Sequence, residues 1–158
     1  MTGVVQRRDK PCGSFTGNHP DLVPLLQNMD KIFGYEIRTP YDSELDFFKK
    51  NLNTTGMATE DGRIILNPFS DLDPASQKSV ATNEAARLLM WENKIKPDFD
   101  VTEEQKNAFK GTAYEENEEA LKETIIARAI AGDPSAGKLT TRQKEWANLV
   151  GAQLRARK

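Results

Sequence analysis

The sequence predicts an α+β fold, mainly α, with about five short helices, one β-hairpin and an extended N-terminal arm. Three observations lead there. Apolar residues recur at helical spacing behind the capping signals Thr39-Pro40, Asp73-Pro74, Thr102 and Thr140. Asp61-Gly62 separates two short β-prone runs, and Asp-Gly accepts the positive φ angles of a tight hairpin turn. Residues 1–18 hold Pro11, Gly13, Ser14, Gly17 and Asn18 with only Val4, Val5 and Phe15 as bulky apolar groups, a composition that builds no core of its own. The expected organisation is therefore an arm over residues 1–18 and a single, mostly helical domain over residues 19–158, with the hairpin at residues 55–67.

Taken in order, Leu22, Leu25, Leu26, Met29, Ile32 and Phe33 fall on one helical face, with Pro20 and Pro24 near the first turn and Gly34 placed to end the helix. Residues 35–38 read as a short extended link. Thr39 then serves as N-cap and Pro40 as first helical residue of a helix that buries Tyr41, Leu45 and Phe48 and stops near Asn51. Residues 55–59 and 63–66 form the hairpin, and Pro68 marks its end. Asp73-Pro74 opens a helix reaching about Glu92, where Lys96-Pro97-Asp98 forces a loop. Beyond it the chain reads as all helical. Thr102 with Gln105, and Thr140 with Gln143, fit the capping box, in which the cap hydroxyl and the third-residue amide satisfy each other's backbone N–H groups. Between them Leu121, Ile125, Ile126, Ala129 and Ile130 form the stripe of a helix ended by Gly132, and Trp146, Leu149, Val150 and Leu154 line one side of the last helix.

The chain has 158 residues and a mass of 17.7 kDa, enough for one ordinary domain that removes roughly two thirds of its unfolded surface from water. With 37% hydrophobic and 29% charged residues it is rather polar for a self-contained globule, so a partner is expected to complete part of its surface. The net charge of -2 argues against a general nucleic-acid binder. That charge is uneven: Glu115, Glu116, Glu118 and Glu119 crowd one region, while Lys138, Arg142, Lys144, Arg155, Arg157 and Lys158 dominate the end. Cys12 is the only cysteine and His19 the only histidine, which leaves no disulfide and no Cys/His cluster for zinc or an iron-sulfur centre, and no cofactor is expected. The first residues lack a secretion signal, and no run approaches the roughly 20 apolar residues that cross a bilayer, so synthesis in the cytoplasm without a membrane partner is expected.

The most suggestive stretch for chemistry is Asn83-Glu84-Ala85-Ala86-Arg87, on the helix after a strand. H-E-x-x-H at that place supplies zinc hydrolases with two ligands and a general base, but Asn83 and Arg87 fill both histidine positions. At 100° per residue Glu84 falls within the arc of Val80, Ala81, Ala85, Leu88 and Trp91, an unusual place for a carboxylate. Burying it ionised costs several kcal/mol unless cations meet it, and Arg87 at i+3, Arg38 and Arg63 are the candidate partners. A structural ion pair is the simpler expectation; a catalytic Glu84, with Asn83, Arg87 or Asn67 orienting the substrate, is the sharper one. Three other patterns fail on chemistry. Residues 132–138 match G-x-x-x-x-G-K, but Leu139 stands where a phosphate loop needs Ser or Thr, and a helix rather than a strand precedes. Residues 98–109 open like a calcium loop, yet Glu103 replaces its glycine and Phe109 its closing glutamate. Cys12 and His19 have no third group to orient them as a nucleophilic pair.

Thr39-Pro40-Tyr41, residues 56–68 and the Asn83-to-Arg87 pentapeptide together resemble small uncharacterised proteins carried by tailed bacteriophages of proteobacteria, over about residues 35–135. The resemblance implies a phage setting and brings no assigned catalytic residues. In that setting the expected role is a non-enzymatic, virion-associated structural or assembly protein. It would be made in the host cytoplasm and dock in a symmetric assembly on other, larger virion proteins through the arm residues Val4, Val5 and Phe15 and its helical surface. Sequence-specific nucleic-acid binding is not expected. Two alternatives belong beside it: a small regulatory binder that inhibits a host protein, and a hydrolase that uses Glu84 as base.

Overall fold

The computed structural model describes residues 31–38, 40–70 and 72–157. The arm, its contact residues Val4, Val5 and Phe15, and the expected helix as far as Met29 lie outside the described residues. Four strands and five helices follow in the order β1 (Lys31–Ile32), β2 (Tyr35–Arg38), α1 (Asp42–Lys50), β3 (Gly56–Ala58), β4 (Ile64–Leu66), α2 (Pro74–Glu92), α3 (Glu103–Ala108), α4 (Glu118–Ile130) and α5 (Thr141–Arg157). The fold is α+β and mainly α. Contacts divide the chain into two compact units, Met1–Ala81 and Thr82–Lys158, with the boundary inside α2.

The first unit is built on a four-stranded sheet in the order β1-β2-β4-β3. β2 and β4 run parallel, with Ile37 opposite Ile64, while β1 with β2 and β3 with β4 are antiparallel pairs. Ile64, Ile65 and Leu66 are all buried, the unbroken apolar run of an interior strand rather than the alternation of a half-exposed one. Ile32, Tyr35, Leu45 and Phe48 complete this core.

Two expectations are corrected here. Lys31 to Arg38 forms a hairpin, not the end of a helix followed by a link. Gly34 has φ 83°, as a helix-ending glycine would, but Phe33 before it also has φ 51°, and two successive positive φ angles make a hairpin turn. The sequence signal is the same in both structures. Helix α1 also begins at Asp42, two residues later than Thr39-Pro40 suggested. Tyr41 is its N-cap, and its amide donates to Glu44 Oε1 at 2.8 Å while the Glu44 amide donates to the Tyr41 carbonyl at 2.9 Å. The carboxylate three residues after Tyr41 decides the start, as in a capping box.

The β3–β4 hairpin stands where the Asp-Gly turn placed it, with Gly62 at φ 83° and the Thr59 amide bonded to the Arg63 carbonyl. Its exit is fastened by Asn67, which sequence reasoning gave no structural role. Buried to 1%, its side-chain amide faces the carbonyls of Phe48, Asn51 and Thr54 at 3.0, 3.3 and 2.8 Å, and its Oδ1 accepts from the Phe69 amide. One side chain thus satisfies the carbonyls at the end of α1 and ties that end to β4.

Asp73 opens α2 as expected, its carboxylate accepting the Ser76 amide at 2.7 Å. In the second unit the core comprises Ala85, Leu88, Leu89 and Met90 from α2, Phe99 and Phe109 from the connections, Leu121, Ile125 and Ile126 from α4, and Val150 and Leu154 from α5. Helix α4 ends at Gly132 with φ 74°. Residues 132–138, the phosphate-loop look-alike, are this turn and a 3-10 helix, Pro134–Ala136, whose Ser135 amide is capped by the Asp133 carboxylate. Helix α5 buries Val150 and Leu154 as expected, joined by Gln143 and Gly151, whereas Leu149 is 50% exposed. Gln143 belongs to this face because its side-chain amide meets the buried amide of Gln105.

Candidate functional site

The site suggested by sequence centres on Glu84, on the part of α2 that belongs to the second unit. Its side chain is only 12% exposed, and Arg87, one turn further on, places Nε 3.4 Å from Glu84 Oε1. Arg87 is itself held: Nη1 donates to Thr124 Oγ1 of α4 at 2.9 Å, and its guanidinium lies 5.8 Å from the centre of the Tyr114 ring. Burial pushes the Glu84 carboxyl above the ordinary carboxylate range, and the charges of Arg87 and then Arg128 draw it back only in part. Arg128 is committed to the Phe109 ring, 4.8 Å away, and to Ser135 Oγ at 3.0 Å. Beside this group, Asn83 Oδ1 is buried without a hydrogen-bond partner among the described residues.

Of the four residues grouped as an ion-pair candidate, the geometry joins Glu84 and Arg87. Arg38 and Arg63 belong to the first unit and have other partners there. Arg38 grips both carboxylate oxygens of Glu44, at 2.9 and 3.3 Å, and stacks 4.0 Å from the Tyr41 ring centre. Burial alone would raise the Glu44 carboxyl, but the Arg38 bond, the Tyr41 amide and the Arg38 charge together hold it below its ordinary value. Arg63 lies 3.9 Å from Glu36 and 3.8 Å from Asp61, loose pairs at an exposed surface.

Chemically, Glu84 is a carboxyl group that holds its proton to a higher pH than an exposed glutamate, next to a fixed guanidinium. Two cavities in this unit lie elsewhere. One, of about 230 Å³, is lined by residues including Val101, Glu115, Glu118 and Leu121, and the other, of about 500 Å³, by residues including Asp98, Phe99, Thr140 and Arg142. Glu84 lines neither. Among the described residues no group of three or more His, Cys, Asp or Glu side chains is placed to hold a metal ion, and no helix is long and apolar enough to cross a membrane.

Sequence reasoning found both capping boxes but not their connection. Gln105 Nε2 donates to Gln143 Oε1 at 2.7 Å and Gln143 Nε2 to Gln105 Oε1 at 2.9 Å, a reciprocal amide pair buried to 1% and 0%. Each Oε1 also accepts its own cap amide, from Thr102 or Thr140, at 3.0 Å. The signal was present in the shared pattern Val101-Thr102-x-x-Gln105 and Leu139-Thr140-x-x-Gln143. A capping glutamine spends its oxygen on the cap and keeps two N–H donors, so two such boxes can satisfy each other.

Comparisons with protein-family models, with curated proteins and with solved structures give no match for this chain.

Proposed function

We propose that the protein is a non-enzymatic structural or assembly component of a tailed-phage virion, docking on larger subunits through its N-terminal arm and its helical surface. The observation that carries this reading is the set of bulky apolar side chains left on or beside helices. Phe47 and Leu52, at the end of α1, are 46% and 55% exposed; Trp91 and Leu149, on α2 and α5, are 45% and 50% exposed. Single exposed apolar residues are ordinary, but Trp91 is also held rigid by a 3.0 Å bond from its Nε1–H to Glu123, and a fixed aromatic ring is the typical anchor of an interface. The resemblance of residues 35–135 to small phage proteins supports the setting. The test is quantitative mass spectrometry of purified particles. Presence at a fixed multiple of a ring or shell symmetry supports the assembly role; absence from particles together with a one-to-one complex with a host protein would transfer the assignment to a regulatory binder.

One observation favours a second reading, hydrolysis with Glu84 as general base, namely its buried and proton-retaining carboxyl. Glu84→Gln separates the two. Loss of activity toward a substrate in a variant that melts no lower than the wild type supports the enzyme, whereas a change confined to stability supports the ion pair as a structural element.

A further inference from the structure

Glu84, Arg87, Tyr114, Phe109 and Arg128 form a chain of contacts that joins α2, the connection from α3 to α4, and α4. Arg87 stands 3.4 Å from the Glu84 carboxyl, donates to Thr124 Oγ1 at 2.9 Å and lies 5.8 Å from the centre of the Tyr114 ring. Tyr114 meets Phe109 edge to face, with ring centres 5.9 Å apart, and Phe109 carries the Arg128 guanidinium at 4.8 Å. Among the described residues the charged groups that face Glu84 are Arg87 of α2 and Arg128 of α4, and the titratable Tyr114 lies behind Arg87.

The guanidinium nearest Glu84 is committed elsewhere. A charge-assisted bond to a carboxylate closes to about 2.8 Å, whereas Arg87 keeps its distance and is bonded to Thr124 instead. The Glu84 carboxyl accepts no hydrogen bond among the described residues. Such an arrangement suits a neutral carboxyl, because a buried carboxylate requires donors. Once the proton leaves, Arg87 is the compensation within reach, and it must turn from Thr124 and Tyr114 to serve both oxygens. The connection has few other holds. From Lys110 to Asn117 every residue is exposed except the half-buried Tyr114, and the hydrogen bonds of this stretch run within residues 107–117. The Tyr114 ring, between Arg87 and the buried Phe109, is therefore its tie to the rest of the unit. We propose that the Glu84 carboxyl is a proton-operated latch on residues 110–117: protonated, it leaves Arg87 over Tyr114 and the connection closed; ionised, it takes Arg87 for itself and the connection opens. Glu115 of this connection lines the cavity of about 230 Å³ together with Leu121, which is buried in the closed form, so opening uncovers apolar surface. The inference goes beyond the assembly role and does not depend on it.

The test is amide hydrogen exchange of the full-length protein at Thr112, Glu115 and Asn117, whose amides bond within the connection, read as protection factors from acidic to neutral pH. Opening returns Glu84 toward its ordinary acidity. Protection should therefore fall as pH rises from the ordinary carboxylate range to the raised value of the closed form, about tenfold for each unit between the two, and then level off. Glu84→Gln, which stays neutral, should hold the low-pH protection throughout. Tyr114→Leu, which removes the ring, should show low protection that no longer depends on pH. Dilute urea separates local from global opening, since only the latter exposes enough surface to respond to it. Three results would overturn the proposal: protection at these amides that does not fall with pH, a fall that persists undiminished in Glu84→Gln or Tyr114→Leu, or exchange that accelerates with urea as steeply as at Val150 in the core, which would mean that the unit unfolds as a whole.

Discussion

At the scale of single residues, Glu84 and Arg87 set the sharpest expectations. A buried ion pair is worth little against an apolar substitute, but removing one partner leaves the other charge uncompensated. Arg87→Met should therefore cost about 3 kcal/mol of unfolding free energy, with Thr124 losing its bond as well. Glu84→Gln should act in the opposite sense at neutral pH. Because burial raises the folded-state value of Glu84 above its unfolded value, folding favours the protonated carboxyl. Below the ordinary carboxylate range the group is neutral in both states and imposes no penalty; as pH rises through the folded value, ionisation opposes folding. Thermal melts of Glu84→Gln and wild type should accordingly converge at low pH and separate as pH rises, with the variant the more stable. A gap that widened toward low pH would refute this account. That Glu84 is buried was legible from its 100° spacing among apolar residues, because a helix carries its own geometry in its sequence. Which arginine meets it was legible only for Arg87 at i+3. The partners of Arg38 and Arg63 depend on how strands are registered, and spacing along the chain does not encode that. Asn67 was opaque for the same reason. Its three carbonyl partners come from residues 13 to 19 positions earlier, and Asn67→Ala should cost about 1 to 3 kcal/mol by removing the bonds that a buried amide makes to them, measurable by urea unfolding.

At the scale of elements, the helices that carried explicit end signals were the ones read correctly. Asp73-Pro74, Thr102 with Gln105, and Thr140 with Gln143 each fix a start through a hydrogen bond seen in the structure, and Gly132 follows the end of α4, whereas Thr39-Pro40 placed the start of α1 two residues early. The element that was misread, β1 with its turn into β2, depends on a glycine whose positive φ serves a helix end and a hairpin turn alike, so nothing local distinguishes the two. On α5 Val150 and Leu154 lie inward as expected and Leu149 does not, and Gln143 was read only as a cap. It is a core residue. The reciprocal pair with Gln105 couples the N-termini of α3 and α5, and this makes a quantitative prediction. Gln105→Ala and Gln143→Ala should each cost about 1 to 3 kcal/mol, since each strands a buried amide. The double variant should cost less than their sum by about 1 kcal/mol, because the second substitution removes the group that the first left unsatisfied. Strict additivity in denaturant unfolding would mean that the two boxes act independently.

At the scale of the whole molecule, the exposed apolar side chains separate surface from core in a way that assembly can test. Phe47 and Leu149 are each about half exposed, so truncating each should cost folding only about 1 kcal/mol, half or less of what a fully buried side chain of that size contributes. If they contribute to a virion interface, the same truncations must weaken docking, because an anchor that leaves water only on association registers its transfer free energy in the complex and not in the free subunit. Phe47→Ser with Leu149→Ser should therefore melt within a few degrees of the wild type, yet be incorporated into particles at a small fraction of its copy number when the two proteins compete during infection. Trp91→Ser is a less clean probe, since it also breaks the bond to Glu123 on α4, and some loss of stability is expected from it. The informative comparison is between copy number and melting temperature for the same variant. Incorporation that follows stability from variant to variant would mean that particles merely select folded protein, and these side chains would then be ordinary exposed residues; incorporation that collapses at constant stability is the mark of an interface.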